Sequence, residues 1–276
     1  MVMMKYETNV ERPRGVAVVV HGAGEHHGRY RWLIEQFQAA GFHVVSGDLP
    51  GQGKTDGKRG HIKSFDEYIA RITSWLIAAK TYKLPVILFG HSMGGLASVR
   101  TVVRLEERLK PDMMILSSPC LGLVNQTSKP KEFLARVMNR VKPDLYVTSN
   151  VRNGTGTRNR EVIRLYDEDP LRVRKITVRW YRELHQSMKA AFTEAASFPD
   201  IPLLVSQGGE DLIVDRHEVR KWFDRLPIND KSYKEWPGLY HEVLNEPERA
   251  DVYLHLAGFI ETQLALLIER DPVTQS

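Results

Sequence analysis

The 276-residue chain has a single cysteine, Cys120. One thiol excludes an intramolecular disulfide and any cysteine-based zinc or iron–sulfur site, so a reducing cytoplasm is the expected compartment. No uncharged apolar run approaches the roughly 18 residues that a membrane span needs. Met1 to Arg14 lacks an apolar core segment, so no secretory signal is read there. The 20 Gly and 14 Pro are scattered without a period, which excludes collagen-like and low-complexity chains. What is present is a globular composition: 42% hydrophobic and 26% charged residues, enough to bury a sizeable core.

The net charge of +5 is small, but it is not evenly spread. Residues 120–200 hold 15 basic and 9 acidic side chains, a net of +6, so the rest of the chain is almost neutral. A basic middle segment can face a phosphate-bearing partner, and its plain alternative is a solvated helical surface. The excess is too small, and groove-reading motifs too absent, for a nucleic-acid partner to be expected. The expectation is a cytoplasmic protein whose basic segment can bring it to anionic lipid at the inner membrane face.

Before residue 119 the chain alternates strand-like and helix-like patterns. Apolar runs at Gly15–Val20, Phe42–Ser46, Val86–Phe89 and Met113–Leu116 are separated by helical spacings at Tyr30–Ala40, Phe65–Lys80 and Met93–Leu109. The pattern resumes with a strand at Ile201–Ser206, a helix from about Arg216 to Arg225, a strand at Lys231–Trp236 and a helix from about Glu246. Continuous apolar strands between helices predict a mostly parallel, doubly wound α/β sheet. The expected division is a core of 1–119 and 201–276 with a helical cap of 120–200 inserted over the sheet's carboxyl edge, where ligands of open α/β sheets bind. Within the insertion, Phe133, Leu134, Val137, Met138 and Val141 form one helical stripe. Ile176, Trp180, Leu184, Met188, Phe192 and Ala195 form a second, and Ser149–Arg160 reads as a loop.

Gly90-His91-Ser92-Met93-Gly94 fits G-x-S-x-G, with a strand running into it and a helix following. That context predicts a sharp strand-to-helix turn that strains the serine and exposes its hydroxyl. A serine at its own pKa needs a base, and the base needs an orienting acid. In this architecture the chain order is Ser, then acid, then His. Of the acids after the next strand, Asp215 reads as a helix N-cap, and Asp211 is chosen over Glu210 because it lies in the loop itself. His241 is the histidine placed at the carboxyl edge downstream of Asp211, whereas His217 and His255 fall in helices. The oxyanion donors expected are the amides of Met93 and of Ala23, the latter in the loop His21-Gly22-Ala23-Gly24 after the first long strand. His21 and His26 lack partner spacing for a metal site, so no metal and no cofactor are expected. Pro50-Gly51-Gln52-Gly53-Lys54-Thr55 ends like a phosphate loop, but Asp48 stands where the motif needs its first glycine.

Together these blocks, with Gly28-Arg29-Tyr30, Asp169-Pro170-Leu171, Gln207-Gly208-Gly209-Glu210-Asp211 and Tyr240-His241, resemble the monoglyceride lipase and lysophospholipase branch of the α/β-hydrolases over nearly the whole chain. The resemblance implies the α/β-hydrolase fold, with a cap after the sixth core strand. It also implies a Ser92–Asp211–His241 triad with Ala23 and Met93 as oxyanion hole, and an acyl and glycerol pocket under the cap. The implied activity is hydrolysis of monoacylglycerol, lysophospholipid or simple esters, without a cofactor. Two departures stand out. The N-terminus has room for a single antiparallel strand before Gly15, and the basic cap favours a phosphate-bearing head group. The rival readings are the same triad acting on an amide, thioester or peroxyacid, and a non-catalytic binder of the same fold.

Overall fold

The computed structural model describes residues 3–125, 128–148 and 154–270. Seven strands form one sheet: β1 (Met3–Tyr6), β2 (Gly15–Val20), β3 (Phe42–Gly47), β4 (Val86–His91), β5 (Met113–Ser117), β8 (Leu203–Gly208) and β9 (Lys231–Trp236). Their spatial order is β1-β3-β2-β4-β5-β8-β9. β1 pairs antiparallel with β3, and all other pairs in this sheet are parallel. The chain winds one way from β2 to β3 and the other way from β4 onward. The strand that carries Ser92 therefore ends beside the switch point, where a crevice opens at the carboxyl edge.

Both faces are covered because the central strands are apolar on both. On β2, Val16, Val18 and Val20 face one core cluster while Ala17 and Val19 face the other. The first cluster is closed by α2 (Asp66–Lys80), α3 (Met93–Val102) and α7 (Arg216–Asp224). The second is closed by α1 (Arg31–Ala39) and α8 (Arg249–Arg270). By length and composition α8 could cross a membrane. Its stripe Val252, Leu256, Ile260 and Leu264 is instead buried on the sheet, and Glu261 on its other side pairs with Arg14 at 2.5 Å. That is the pattern of a core-covering amphipathic helix.

Two boundaries differ from expectation. The helix expected over Met93–Leu109 stops at Val102, with a separate 3-10 turn at Glu107–Leu109. No glycine or proline marks that stop. The chain must turn there because Asp112 is tied to the start of β4, through its N–H to the Val86 carbonyl and its carboxylate to the Val86 N–H. The last helix begins at Arg249, since Glu246 is fully buried and accepts hydrogen bonds from the Tyr240 and Arg158 amides.

The insertion follows β5, the fifth sheet strand in chain order and not the sixth, because only one antiparallel strand precedes β2. It carries α4 (Lys129–Val141), α5 (Arg160–Glu168) and α6 (Val178–Thr193), with a short antiparallel ribbon of β6 (Tyr146–Thr148) and β7 (Lys175–Thr177). Of the loop expected at 149–160, residues 149–153 lie outside the described residues. The second predicted stripe is α6, whose Trp180, Leu184 and Met188 join the first core cluster. The first stripe is α4, and it points the other way: Phe133, Leu134, Val137 and Val141 are exposed.

Candidate active site

The turn from β4 into α3 shows how the sequence makes a strained serine. Ser92 has φ +52° and ψ −120°, a conformation that L-residues seldom adopt. The close approach that permits it depends on glycine. A Cβ on Gly94 would lie 2.3 Å from the His21 carbonyl oxygen, since the helix start is pressed against the end of β2. The Ser92 amide is held by the Ser117 carbonyl, and its own carbonyl accepts from the amides of Leu96 and Cys120. The backbone at this turn is thereby fixed on every side.

Ser92, His241 and Asp211 come together from three loops at the carboxyl edge. His241 Nε2 lies 2.8 Å from Ser92 Oγ, and His241 Nδ1 lies 2.8 Å from Asp211 Oδ2. Asp211 is further held by the amides of Ile213 and Val214 on Oδ1 and by Gln207 Nε2 on Oδ2. Burial opposes its ionisation, but His241 and these donors outweigh burial and hold its carboxyl below the usual range. Burial likewise opposes an imidazolium at His241, and Asp211 overcomes it, raising the histidine above its ordinary value. Nδ1–H bonded to the carboxylate leaves Nε2 as the acceptor that faces the serine hydroxyl. Glu210 is exposed on the neighbouring surface, and Asp215 caps α7 through the His217 amide. His217 and His255 stand at α7 and against Trp236, apart from this constellation.

Met93 occupies the first position of α3, where helix geometry provides no intrahelical acceptor for its N–H. Ala23 is exposed in the loop after β2, next to Gly22, whose Cβ position would be 3.1 Å from Ser92 Cβ. Met93 thus adjoins the serine in sequence, and Ala23 follows the glycine that packs against it.

Sequence reasoning did not assign a role to the charged network behind His241. Arg29 bonds Glu242 at 2.8 Å and Glu25 at 2.6 Å, and Glu25 also accepts from the Tyr30 hydroxyl at 2.7 Å. Burial opposes the ionisation of both acids, and Arg29 reverses this, holding Glu242 down to about 2. His91 packs on His241 with ring centroids 4.8 Å apart. Burial and then His241 push it down to about 4, so it is neutral at pH 7.

His26, His27 and Asp48 form the one cluster among the described residues compact enough to suggest a cation. Its donor set is already committed. His26 Nδ1 accepts from the Gly28 amide and Nε2 faces Asp169 at 2.8 Å. Asp48 takes the His27 amide, His27 Nδ1 and the Lys54 amide. The cluster is a hydrogen-bonded corner of the fold. A cleft of about 310 Å³ lined by Lys80, Arg108 and Asp200 lies at the opposite edge of the sheet from Ser92.

Residues 11–248 match the family described as "Serine aminopeptidase, S33". The chain is 46% identical to "Phospholipase YtpA" of Bacillus subtilis over 251 residues, covering 91% of this chain and 96% of that protein. It is 33% identical to the "Monoacylglycerol lipase" of Mycolicibacterium smegmatis over 258 residues, covering 91% of this chain and 90% of the other. The crystal structure of the Paleococcus ferrophilus monoacylglycerol lipase superposes with a TM-score of 0.84 at 33% identity, over 96% of this chain and 98% of that one.

Proposed function

The chain belongs to the serine aminopeptidase S33 family of α/β-hydrolases, and from that footing we propose that it is a serine hydrolase of monoacyl lipid esters, monoacylglycerol or lysophospholipid. The observation that carries the reading is the pair of 2.8 Å contacts linking Ser92 to His241 and His241 to Asp211 at a strained strand-to-helix turn. Ser92 Oγ attacks the ester carbonyl carbon as its proton passes to His241 Nε2, and Asp211 stabilises the imidazolium. The Ala23 and Met93 amides receive the oxyanion. Collapse breaks the bond to the alcohol, which leaves with the proton from His241, and the acyl group stays on Ser92. A water gives its proton to His241 and attacks the acyl carbon, and the second collapse frees the fatty acid and the serine.

An aminopeptidase reading, which the family's description raises, needs an unpaired carboxylate near Ser92 to receive a substrate's α-ammonium. Glu25 and Glu242, the buried acids behind His241, are each already paired with Arg29, so neither is an unpaired carboxylate. The ester reading is therefore preferred. The test is a matched panel of a monoacylglycerol, a lysophospholipid, a p-nitrophenyl ester and an aminoacyl p-nitroanilide. Turnover of the esters with preference for one monoacyl lipid is expected, and turnover of the anilide alone would overturn the reading.

The insertion supports a second element of the proposal, contact with an anionic lipid surface. α4 is turned inside out. Its polar side meets α6 through Asn139 to Arg179 at 2.7 Å and Glu132 to Arg182 at 3.6 Å. Its exposed apolar stripe is flanked by the exposed Lys129, Arg136 and Arg140 on one side and Lys131 and Lys142 on the other. An apolar stripe between rows of cations suits an interface of acyl chains and anionic head groups. By contrast, Arg158, Arg164 and Arg172 of the basic cap are engaged with carboxylates of the protein itself. Replacing Phe133, Leu134 and Lys131 by Ser, Ser and Glu is expected to abolish sedimentation with phosphatidylglycerol vesicles while leaving hydrolysis of a soluble short-chain ester within about twofold. Unchanged sedimentation would count against this contact.

A further inference from the structure

The Pro50-Gly51-Gln52-Gly53 turn binds no phosphate in the reading above, yet its glycines are under tight constraint. Gly53 has φ +52°, and a Cβ there would fall 2.2 Å from the Asp48 carboxylate. The turn is therefore built to close on Asp48, and this brings two groups of residues 49–53 against the loop that carries Ala23.

The first is the Leu49 amide, which donates to His21 Nε2 at 2.9 Å. With Nε2 accepting, the buried ring carries its proton on Nδ1 and donates it to the Gly22 carbonyl at 2.8 Å. Burial lowers the His21 pKa, so the ring is neutral and this tautomer is the one held. The Gly22 carbonyl and the Ala23 N–H belong to one planar trans peptide, so fixing one fixes the direction of the other. The second group is Gln52. Its Oε1 accepts from the Gly24 amide at 3.0 Å, and the side chain is 1% exposed. From the other side the Val173 amide of the insertion donates to the Gly24 carbonyl at 3.0 Å. Both peptide planes that flank the Ala23 Cα are thus oriented from outside the loop, one through His21 and one through Gln52.

We propose that the turn after β3 is the frame of the oxyanion hole, and that Gln52 is a positioning residue that aims the Ala23 N–H by holding the next peptide. Gln52 touches no substrate. Its contribution appears only when negative charge develops on the carbonyl oxygen, because a misdirected donor still permits substrate to bind. The proposal rests on Ala23 as an oxyanion donor in a serine esterase, so wild type and Ser92→Ala are assayed alongside. If the two do not differ, that reading falls and this proposal with it, whereas a Ser92-dependent rate that Gln52→Met leaves unchanged overturns this proposal alone.

The test is Gln52→Met, which keeps the length and removes the acceptor, against Gln52→Glu, which restores an acceptor oxygen. On a p-nitrophenyl ester, Gln52→Met is expected to lower kcat about 10- to 100-fold with KM within about twofold. The Ki for an alkylboronic acid, whose tetrahedral adduct on Ser92 fills the oxyanion position, should rise in parallel while the melting temperature holds. Gln52→Glu should recover part of both losses, the remainder being withheld by a buried carboxylate beside the developing oxyanion. Should the methionine variant fail to fold, Gln52→Ala, which leaves the turn's backbone bonds in place, is read by the same criteria. Unchanged kcat and Ki in a folded variant, or a rise in KM with boronic acid affinity intact, would overturn the proposal.

Discussion

Ser92→Ala is expected to lower kcat for a monoacyl ester by about 10⁶-fold, by analogy with removal of the nucleophile in serine proteases. The size of the loss follows from the way the site is assembled. Ser92 Oγ is the group on which His241 Nε2 acts at 2.8 Å, so without it the base has no nucleophile in reach and the acyl-enzyme route closes. His241 and the expected oxyanion donors remain, and a residual rate on the order of 10³–10⁴ above water is expected from the protease precedent. The backbone should remain folded, since the elbow is held by amide contacts to Ser117 and Cys120 rather than by the hydroxyl. Initial rates on p-nitrophenyl butyrate, with labelling by a fluorophosphonate, check this: the variant should retain only the residual rate and should not label.

Asp211→Asn is expected to lower kcat about 10⁴-fold while preserving the geometry. The neutral amide can offer its NH₂ to His241 Nδ1, which then becomes the acceptor and leaves Nε2 protonated toward Ser92, the wrong tautomer for a base. The pH profile gives an independent reading. In the wild type, Asp211 raises the His241 pKa against the opposing effect of burial. Neutral His241 is the active form, so activity falls as pH drops through that raised value. Removing the carboxylate leaves burial unopposed, and the acid limb of kcat/KM should move to lower pH. An acid limb that stays in place would assign it to another group.

Much of this site was legible because its signals are local. Strand β4, the glycines of the elbow and the helix behind them adjoin in sequence, and each of those features has a steric reason. Chain order then singled out His241, and recognising Asp215 as a cap cleared the way to Asp211. What was not legible depends on contacts between distant residues. Arg29 meets Glu242 across 213 positions and Gln52 meets Gly24 across 28, and no spacing rule links such pairs. The stripe on α4 was visible as a period, but periodicity gives the width of an apolar face and not its direction. Only packing shows that Glu132 and Asn139 face inward while Phe133 faces water. The helix α5 escaped detection because its nine residues are mostly charged and none is buried. The stop at Val102 is set by Asp112 reaching β4 rather than by any breaker.

The acyl-enzyme can be observed directly. Wild-type protein mixed with a long-chain p-nitrophenyl ester and quenched in acid within the first turnovers is expected to gain the mass of one acyl group less a proton. Proteolysis should place that mass on the peptide containing Ser92, and Ser92→Ala should show no gain. Ester turnover with no covalent intermediate, or an acyl group found on a residue other than Ser92, would contradict the mechanism.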